Sequence, residues 1–330
     1  MHQAATFFAA LLVLAPLANA ADSTLLDLIM PDAKVVFGAN VSRIVASPLG
    51  KSFTAGQEAK VGAALAGITA ATGFNPARDL EEILVATTGG PKDAPTLVLL
   101  RGIFDKERVR VFAKSNGATV SSYDGLEMFT GVSIMGEDKV SGAFAVIDQS
   151  IAVGGPLEQV RAAIRRRGQG AKIGADLSRK IAMLSENYDV WAVSVAPASG
   201  LASRLNNSRA GAAAEMLKAI EQFSGGVKFG AGFEFAGEIL SHTQRDAEQL
   251  GGGLQTFAAM LQADPRTACP DCLKIRIEDA TVHVSLIVPA SFIQQNLQAR
   301  NKPRVVAPVN TDIVIQSSPG DMGTVKLAQP

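Results

Sequence analysis

The chain has few of the residue types on which common binding and catalytic chemistries depend. Among its 330 residues are one tryptophan, two tyrosines, two cysteines and three histidines. The scarcity of flat aromatic side chains argues against a carbohydrate-binding platform and against a surface that stacks nucleic-acid bases. Lysine plus arginine equal aspartate plus glutamate at 31 each, so no excess positive charge favours nucleic acid or an anionic surface. We therefore expect no nucleic-acid partner.

Apolar runs of membrane-spanning length are also missing. The run over residues 7–15 is too short to cross a bilayer, which takes roughly 20 apolar residues. It leads into Leu17-Ala18-Asn19-Ala20, whose small residues form the A-x-A pattern of a signal peptidase site. We predict a cleavable signal peptide over residues 1–20, although no lysine or arginine precedes the run. The new N-terminus, Ala21, is not the cysteine that a lipoprotein requires, so a soluble periplasmic or secreted protein without a membrane span is expected.

The remaining chain of about 310 residues is longer than one compact core usually takes. Short strands interleaved with amphipathic helices predict an α+β fold, in which two similar lobes of antiparallel sheet carry packed helices. The first lobe is predicted over residues 21–189 and the second over residues 190–302, followed by an extended or partly disordered tail over 303–330. Strand, helix, hairpin and helix recur in this order over about residues 96–167 and 226–300, which predicts an internal duplication.

The residue pattern of the second lobe assigns its main elements. It predicts a helix over Ala212–Phe223, a single strand over Gly226–Phe235 and a long helix over Ser241–Leu261. Two further strands, Leu273–Ile277 and Thr281–Val288, are expected to form a hairpin.

The two cysteines, Cys269 and Cys272, stand three positions apart in a chain predicted to reach an oxidising compartment. A thioredoxin-like redox pair follows a strand and opens a helix, whereas this pair follows a helix and precedes a strand. A zinc site would need two further ligands at suitable spacing. We predict a structural disulfide, which stabilises so short a loop by at most about 2 kcal/mol, and a thiol-redox role is the alternative.

Only His242 and His283 remain after the predicted signal peptide. Period-two alternation places His283 on the polar, more open face of its strand, and His242 is expected at the surface near the start of a helix. No Ser-His-Asp arrangement or histidine pair of metal-ligand spacing can be formed from them. We therefore predict no catalytic, cofactor-binding or metal-binding residues.

Several short segments within residues 34–300 carry a resemblance. They are Asn40-Val41-Ser42, Ser47-Pro48-Leu49-Gly50, the run from Thr72 to Leu80, Ser122-Tyr123-Asp124-Gly125, Ala152-Val153-Gly154-Gly155 and the run from Val160 to Ile164. Together they resemble a broad group of uncharacterised exported bacterial proteins built from duplicated α+β units. The resemblance implies a bacterial envelope location and a non-enzymatic role, and it implies no site residue.

The combined features predict a non-enzymatic extracytoplasmic protein that binds an envelope protein or an apolar ligand, without a cofactor. Two alternatives stay open. One is a periplasmic enzyme or thiol-redox protein that uses Cys269 and Cys272, and the other is a structural component of the envelope.

Overall fold

The fold is taken from a computed structural model of the chain. The residues that it describes are 21–51, 69–70, 72–90, 94–131, 142–199, 216–263, 269 and 272–293. The predictions of a signal peptide over residues 1–20 and of a tail over residues 303–330 therefore lie outside the described residues.

Helices and strands alternate along the described chain. Helices α1–α7 span Ser23–Leu28, Val41–Ala46, Pro76–Asp79, Lys106–Ser115, Leu157–Arg166, Ala175–Asn187 and Gln244–Ala263. Strands β1–β6 span Val35–Asn40, Leu80–Thr87, Thr96–Gly102, Thr119–Tyr123, Leu126–Thr130 and Gly142–Val146. Strands β7–β12 span Ile151–Pro156, Val190–Ser194, Ile220–Phe229, Phe233–Ser241, Leu273–Glu278 and Thr281–Val288.

These strands form one twelve-stranded antiparallel sheet, in the order β11-β12-β10-β9-β8-β1-β2-β3-β7-β6-β5-β4. The predicted α+β class is confirmed. Strands from both predicted lobes join this sheet, because β1 pairs with β8 and brings Val36 opposite Val193. The order is similar on both sides of this pair: β2 and β3 follow β1, and β9 and β10 follow β8. The division into lobes at residue 190 stays a prediction.

Helices pack on both faces of the sheet, where they meet apolar residues that alternate along the strands. The larger core lies on the face of α1, α5 and α6, where Leu84, Leu99 and Val153 pack against helix residues such as Leu177 and Ile181. The opposite face carries two smaller cores. One contains Phe104, Val146, Ala152 and Val109 of α4, and the other packs α7 on Ile239 and Val282.

Two predictions in the second half are wrong. The helix predicted over Ala212–Phe223 ends before Ile220, where β9 begins, because pairing with both β8 and β10 overrides a weak helix propensity. The segment predicted as a single strand over Gly226–Phe235 contains the end of β9 and the start of β10. They are joined by a turn in which the Gly230 N–H donates to the carbonyl of Gly232. The hairpin predicted after residue 272 is confirmed.

Candidate functional site

A groove forms where helix α6 ends above the second half of the sheet. The helix packs on β8 and β9 through Leu177, Ile181 and Leu184, and its chain leaves the helical conformation at Tyr188. The ring of Tyr188 then lies on Gly226 of β9, in the space that a β carbon on this glycine would need. A glycine at this position therefore sets how closely the helix end approaches the sheet.

Beyond Tyr188 the sheet face holds small side chains over β9, β10 and β12. A groove of about 500 Å³ lies here, within the usual range for small-molecule sites. Its floor is formed by Ser224, Gly225, Ala236, Gly237 and Ser285, and its apolar wall by Met183, Leu184 and Tyr188. Because bulky strand residues on these strands, such as Phe223 and Ile239, pack on the α7 side, the groove side keeps open volume.

A row of polar side chains crosses the groove from strand to strand. Pairing brings Glu238 opposite Ser224 on one side and His283 on the other, and His283 lies opposite Arg276. The Nδ1 atom of His283 lies 3.5 Å from Glu238 Oε1, and its Nε2 atom lies 3.8 Å from Glu278 Oε2. The structure thus places His283 on the side away from α7, where the alternation of its strand predicted a polar face.

Two basic side chains stand at the β11 side of the groove. Arg276 lies 3.1 Å from a carboxylate oxygen of Glu278, which offsets its charge. Lys274 is exposed and lies opposite Ser285. Within the part of the chain that the structure describes, Lys274 has no carboxylate at ion-pair distance. Its ammonium group is therefore available to an acidic group of a ligand.

The cysteine pair lies just before β11. The Sγ atoms of Cys269 and Cys272 are at disulfide-bonding distance, and their Cα atoms are 5.5 Å apart, which suits a disulfide. The carbonyl of Cys272 accepts the Ile287 N–H at 2.8 Å, so the pair is tied to the β11–β12 hairpin. The structure brings the two predicted residues together at the sheet edge. Neither cysteine lines the groove.

His242 stands elsewhere, exposed ahead of α7 as the sequence predicted. It lines a second cavity of about 460 Å³ with Lys218 and Asp246.

Over the described residues, no three or more histidine, cysteine or acidic side chains are grouped so that they could hold a metal ion. No helix in the described ranges is both long and apolar enough to cross a membrane.

The sequence did not predict the groove itself. Its floor depends on which small residues the register of three strands places side by side, and its wall depends on α6, for which no helix was predicted. The only available signal was the apolar spacing of Leu177, Ile181 and Leu184, which is typical of an amphipathic helix.

Comparison with known proteins gives structural matches alone. No protein-family model matches the chain, and no curated protein matches it either. Among solved structures, the chain is similar to crystal form I of TP0453, with a TM-score of 0.48 and 9% sequence identity over 84% of this chain and 98% of that one. Crystal form III of TP0453 matches with a TM-score of 0.48 and 8% identity, over 83% and 97% of the two chains.

Proposed function

We propose that the protein is a non-enzymatic extracytoplasmic binding protein whose groove takes a small apolar ligand with an acidic group. The observation that carries this proposal is the combination of an apolar wall, an open floor and a cation that has no carboxylate partner among the described residues. Met183 and Tyr188 form part of the wall, and Lys274 supplies the cation. An apolar ligand gains from leaving water at the wall, and its acidic group gains an ion pair with the ammonium group.

The shape of the groove supports a small ligand. Small-molecule sites are typically concave and largely apolar, with a few polar groups that fix orientation. Here Arg276 is paired with Glu278, and His283 Nδ1 lies 3.5 Å from Glu238 Oε1, a contact that is an ion pair only when the imidazole is protonated. Lys274 is left as the group that would orient the ligand.

The extracytoplasmic location is part of the same proposal. It is supported by the apolar run and the A-x-A pattern before Ala21.

The two-lobe organisation, with a boundary near residue 190, is proposed as the result of duplication. It is supported by the similar strand order on the two sides of the β1–β8 pair.

A fluorescent fatty acid, such as a dansyl-labelled undecanoic acid, tests the function. We expect saturable binding of this probe with blue-shifted emission, and much weaker binding of the matching methyl ester. Lys274→Gln should weaken binding of the acid about tenfold, because it removes one charge-assisted contact. Ala236→Phe should abolish binding of both probes by filling the floor.

Lys114→Gln is the matched control, since Lys114 is an exposed lysine near the end of α4 in the other half of the sheet. It should leave the affinity for the acid unchanged. Equal affinity of the wild-type protein for the acid and the ester would refute recognition of an acidic group. Absence of saturable binding to either probe would refute the groove as a site for apolar ligands.

A further inference from the structure

Ala21 and Asp22 are partly buried and are held against the fold by hydrogen bonds. The Ala21 N–H donates to Ser185 Oγ of α6 at 2.8 Å, and the Asp22 N–H donates to Glu82 Oε2 of β2 at 3.2 Å. Asp22 also caps α1 through its side chain and lies 2.5 Å from Arg101. Three elements distant in sequence thus converge on the two residues that follow the predicted cleavage site.

Glu82 is the unusual member of this cluster. It is only 8% exposed, and among the described residues it forms no ion pair. Arg101 is engaged by Asp22 and Glu81, at 2.5 and 3.2 Å. Burial raises the pKa of Glu82 to about 7, and the charges of Asp22 and Glu81 add to this rise, whereas the Asp22 N–H and Arg101 oppose it.

The cluster therefore has a deficit of positive charge. Among the described residues, the carboxylates of Asp22, Glu81 and Glu82, when ionised, face a single guanidinium, that of Arg101. On the α6 side, the nearby Arg43 is already paired with Asp189 at 2.7 Å. A buried carboxylate without a cation is costly, so one further cation at this position would be stabilising.

We propose that this cluster is a binding site for the α-ammonium group of Ala21, which signal-peptide cleavage after Ala20 would create. Before cleavage the Ala21 nitrogen is an amide with one N–H, which Ser185 accepts. After cleavage it carries two more donors and a positive charge. Consecutive backbone nitrogens are less than about 4 Å apart, so this charge stands one residue from the contact of Asp22 with Glu82.

Cleavage then has a consequence beyond removal of the leader. The mature chain gains an ion pair with Glu82 that the uncleaved chain cannot form, so processing raises the stability of the fold. This inference rests on the proposed cleavage and is independent of ligand binding in the groove.

Two forms of the protein with equal charge test the site. One begins at Ala21 and the other at Asn19, so that its amino group is displaced by two residues; both end at Pro330. We expect the melting temperature of the Ala21 form to be higher by about 2–4 °C. The same comparison in Glu82→Gln should show no difference, because the partner of the ammonium group is then neutral.

A second measurement covers the case in which Glu82→Gln does not fold. The pKa of the terminal amino group, obtained from the pH dependence of its acylation, should exceed the usual value of about 7.7–8.0 in the Ala21 form. It should be ordinary in the Asn19 form. Equal melting temperatures, a difference that persists in Glu82→Gln, or equal amino-group pKa values would each overturn the proposal.

N-terminal sequencing of the protein from the envelope fraction tests the predicted cleavage after Ala20 separately from the proposed binding site. Sequences that begin at Ala21 support the cleavage, and sequences that begin elsewhere overturn both it and the site. Melting temperatures of the two forms then test the site alone.

Discussion

The indole ring of Trp191 occupies the space that a β carbon on Gly38 would need. The two residues are paired across β1 and β8 at the centre of the sheet. On its other side Trp191 is paired with Gly226, whose own β-carbon space is taken by Tyr188. Two glycines thus let two large aromatic side chains lie close to the sheet at the junction of its halves.

Gly38→Ala should destabilise the protein, because the new methyl group displaces a ring that is 2% exposed. Overpacking of this kind costs about 1–3 kcal/mol. Since Trp191 is the only tryptophan, its fluorescence reports both the repacking, as a red shift, and the urea midpoint. Gly230→Ala is the control, because no described residue other than its chain neighbours lies within 4 Å of the added carbon. An unchanged midpoint in Gly38→Ala would show that the ring can move at no cost.

Asp189→Asn should destabilise the protein by about 2 kcal/mol, the usual range for a hydrogen bond to a charged group. The buried Asp189 carboxylate accepts the Phe229 N–H at 2.7 Å and pairs with Arg43, and the amide cannot match the ion pair. Urea unfolding measures the loss. Asp176→Asn is the matched control, because Asp176 and Arg179 are both more than three-quarters exposed and such pairs contribute little. Equal losses in the two variants would contradict the prediction.

The Asn19 form should lose stability as the pH rises from about 4.5 to about 7. Glu82 has a folded pKa of about 7 against an ordinary value of 4.5, so the folded protein keeps its proton where the unfolded chain has lost it. The contribution of Glu82 is therefore full below pH 4.5 and is lost as the pH approaches 7. The change is on the order of 3 kcal/mol.

Chemical unfolding across this pH range should show this fall in the free energy of unfolding for the Asn19 form with the wild-type Glu82. The fall should be much smaller in the Glu82→Gln variant of the same form. Glu107→Gln, on the exposed side of α4, should keep the wild-type slope. The Ala21 form should show a smaller loss than the Asn19 form. A slope that is unchanged in Glu82→Gln would assign the pH dependence to other groups.

Native protein should contain no titratable thiol, because the Sγ atoms of Cys269 and Cys272 lie at disulfide-bonding distance. Two thiols should appear only after reduction. The double variant Cys269→Ser and Cys272→Ser should lose at most about 2 kcal/mol, since the loop is short, and it should bind the fluorescent acid like the wild type. Two thiols that titrate in the native, unreduced protein would support the redox alternative.

Elements with strong local signals could be predicted from the sequence. The β11–β12 hairpin follows from alternating apolar residues around Glu278 and Asp279, and Asp279 adopts a positive φ of 52° at the turn. By contrast, α6 has Gly174 at its N-cap and no side-chain cap, so its start lacks the Ser, Asp or Asn that marks a helix N-terminus most strongly. The segment before Phe223 was predicted as a helix because its strand identity comes from pairing partners distant in sequence.

The two candidate sites differ in the same way: one is formed by residues close in sequence, and the other by residues far apart. The cysteine pair is local, and three-residue spacing was enough to predict that the residues meet. The environment of Glu82 depends on Asp22, which caps α1, and on Arg101 of β3, and no local pattern distinguishes Glu82 from the neighbouring Glu81. Long-range register, which sequence periodicity does not contain, decides which of the two carboxylates is buried.

The central β1–β8 pair also bears on how fast the protein can fold. Val36 pairs with Val193, which lies far along the chain. Contacts between residues so far apart in sequence slow folding, because a large loop must first close. The hairpins β2–β3, β9–β10 and β11–β12 can each form early from neighbouring residues. The middle of the sheet is therefore expected to close late, and a refolding experiment that follows Trp191 would report this slow final phase directly.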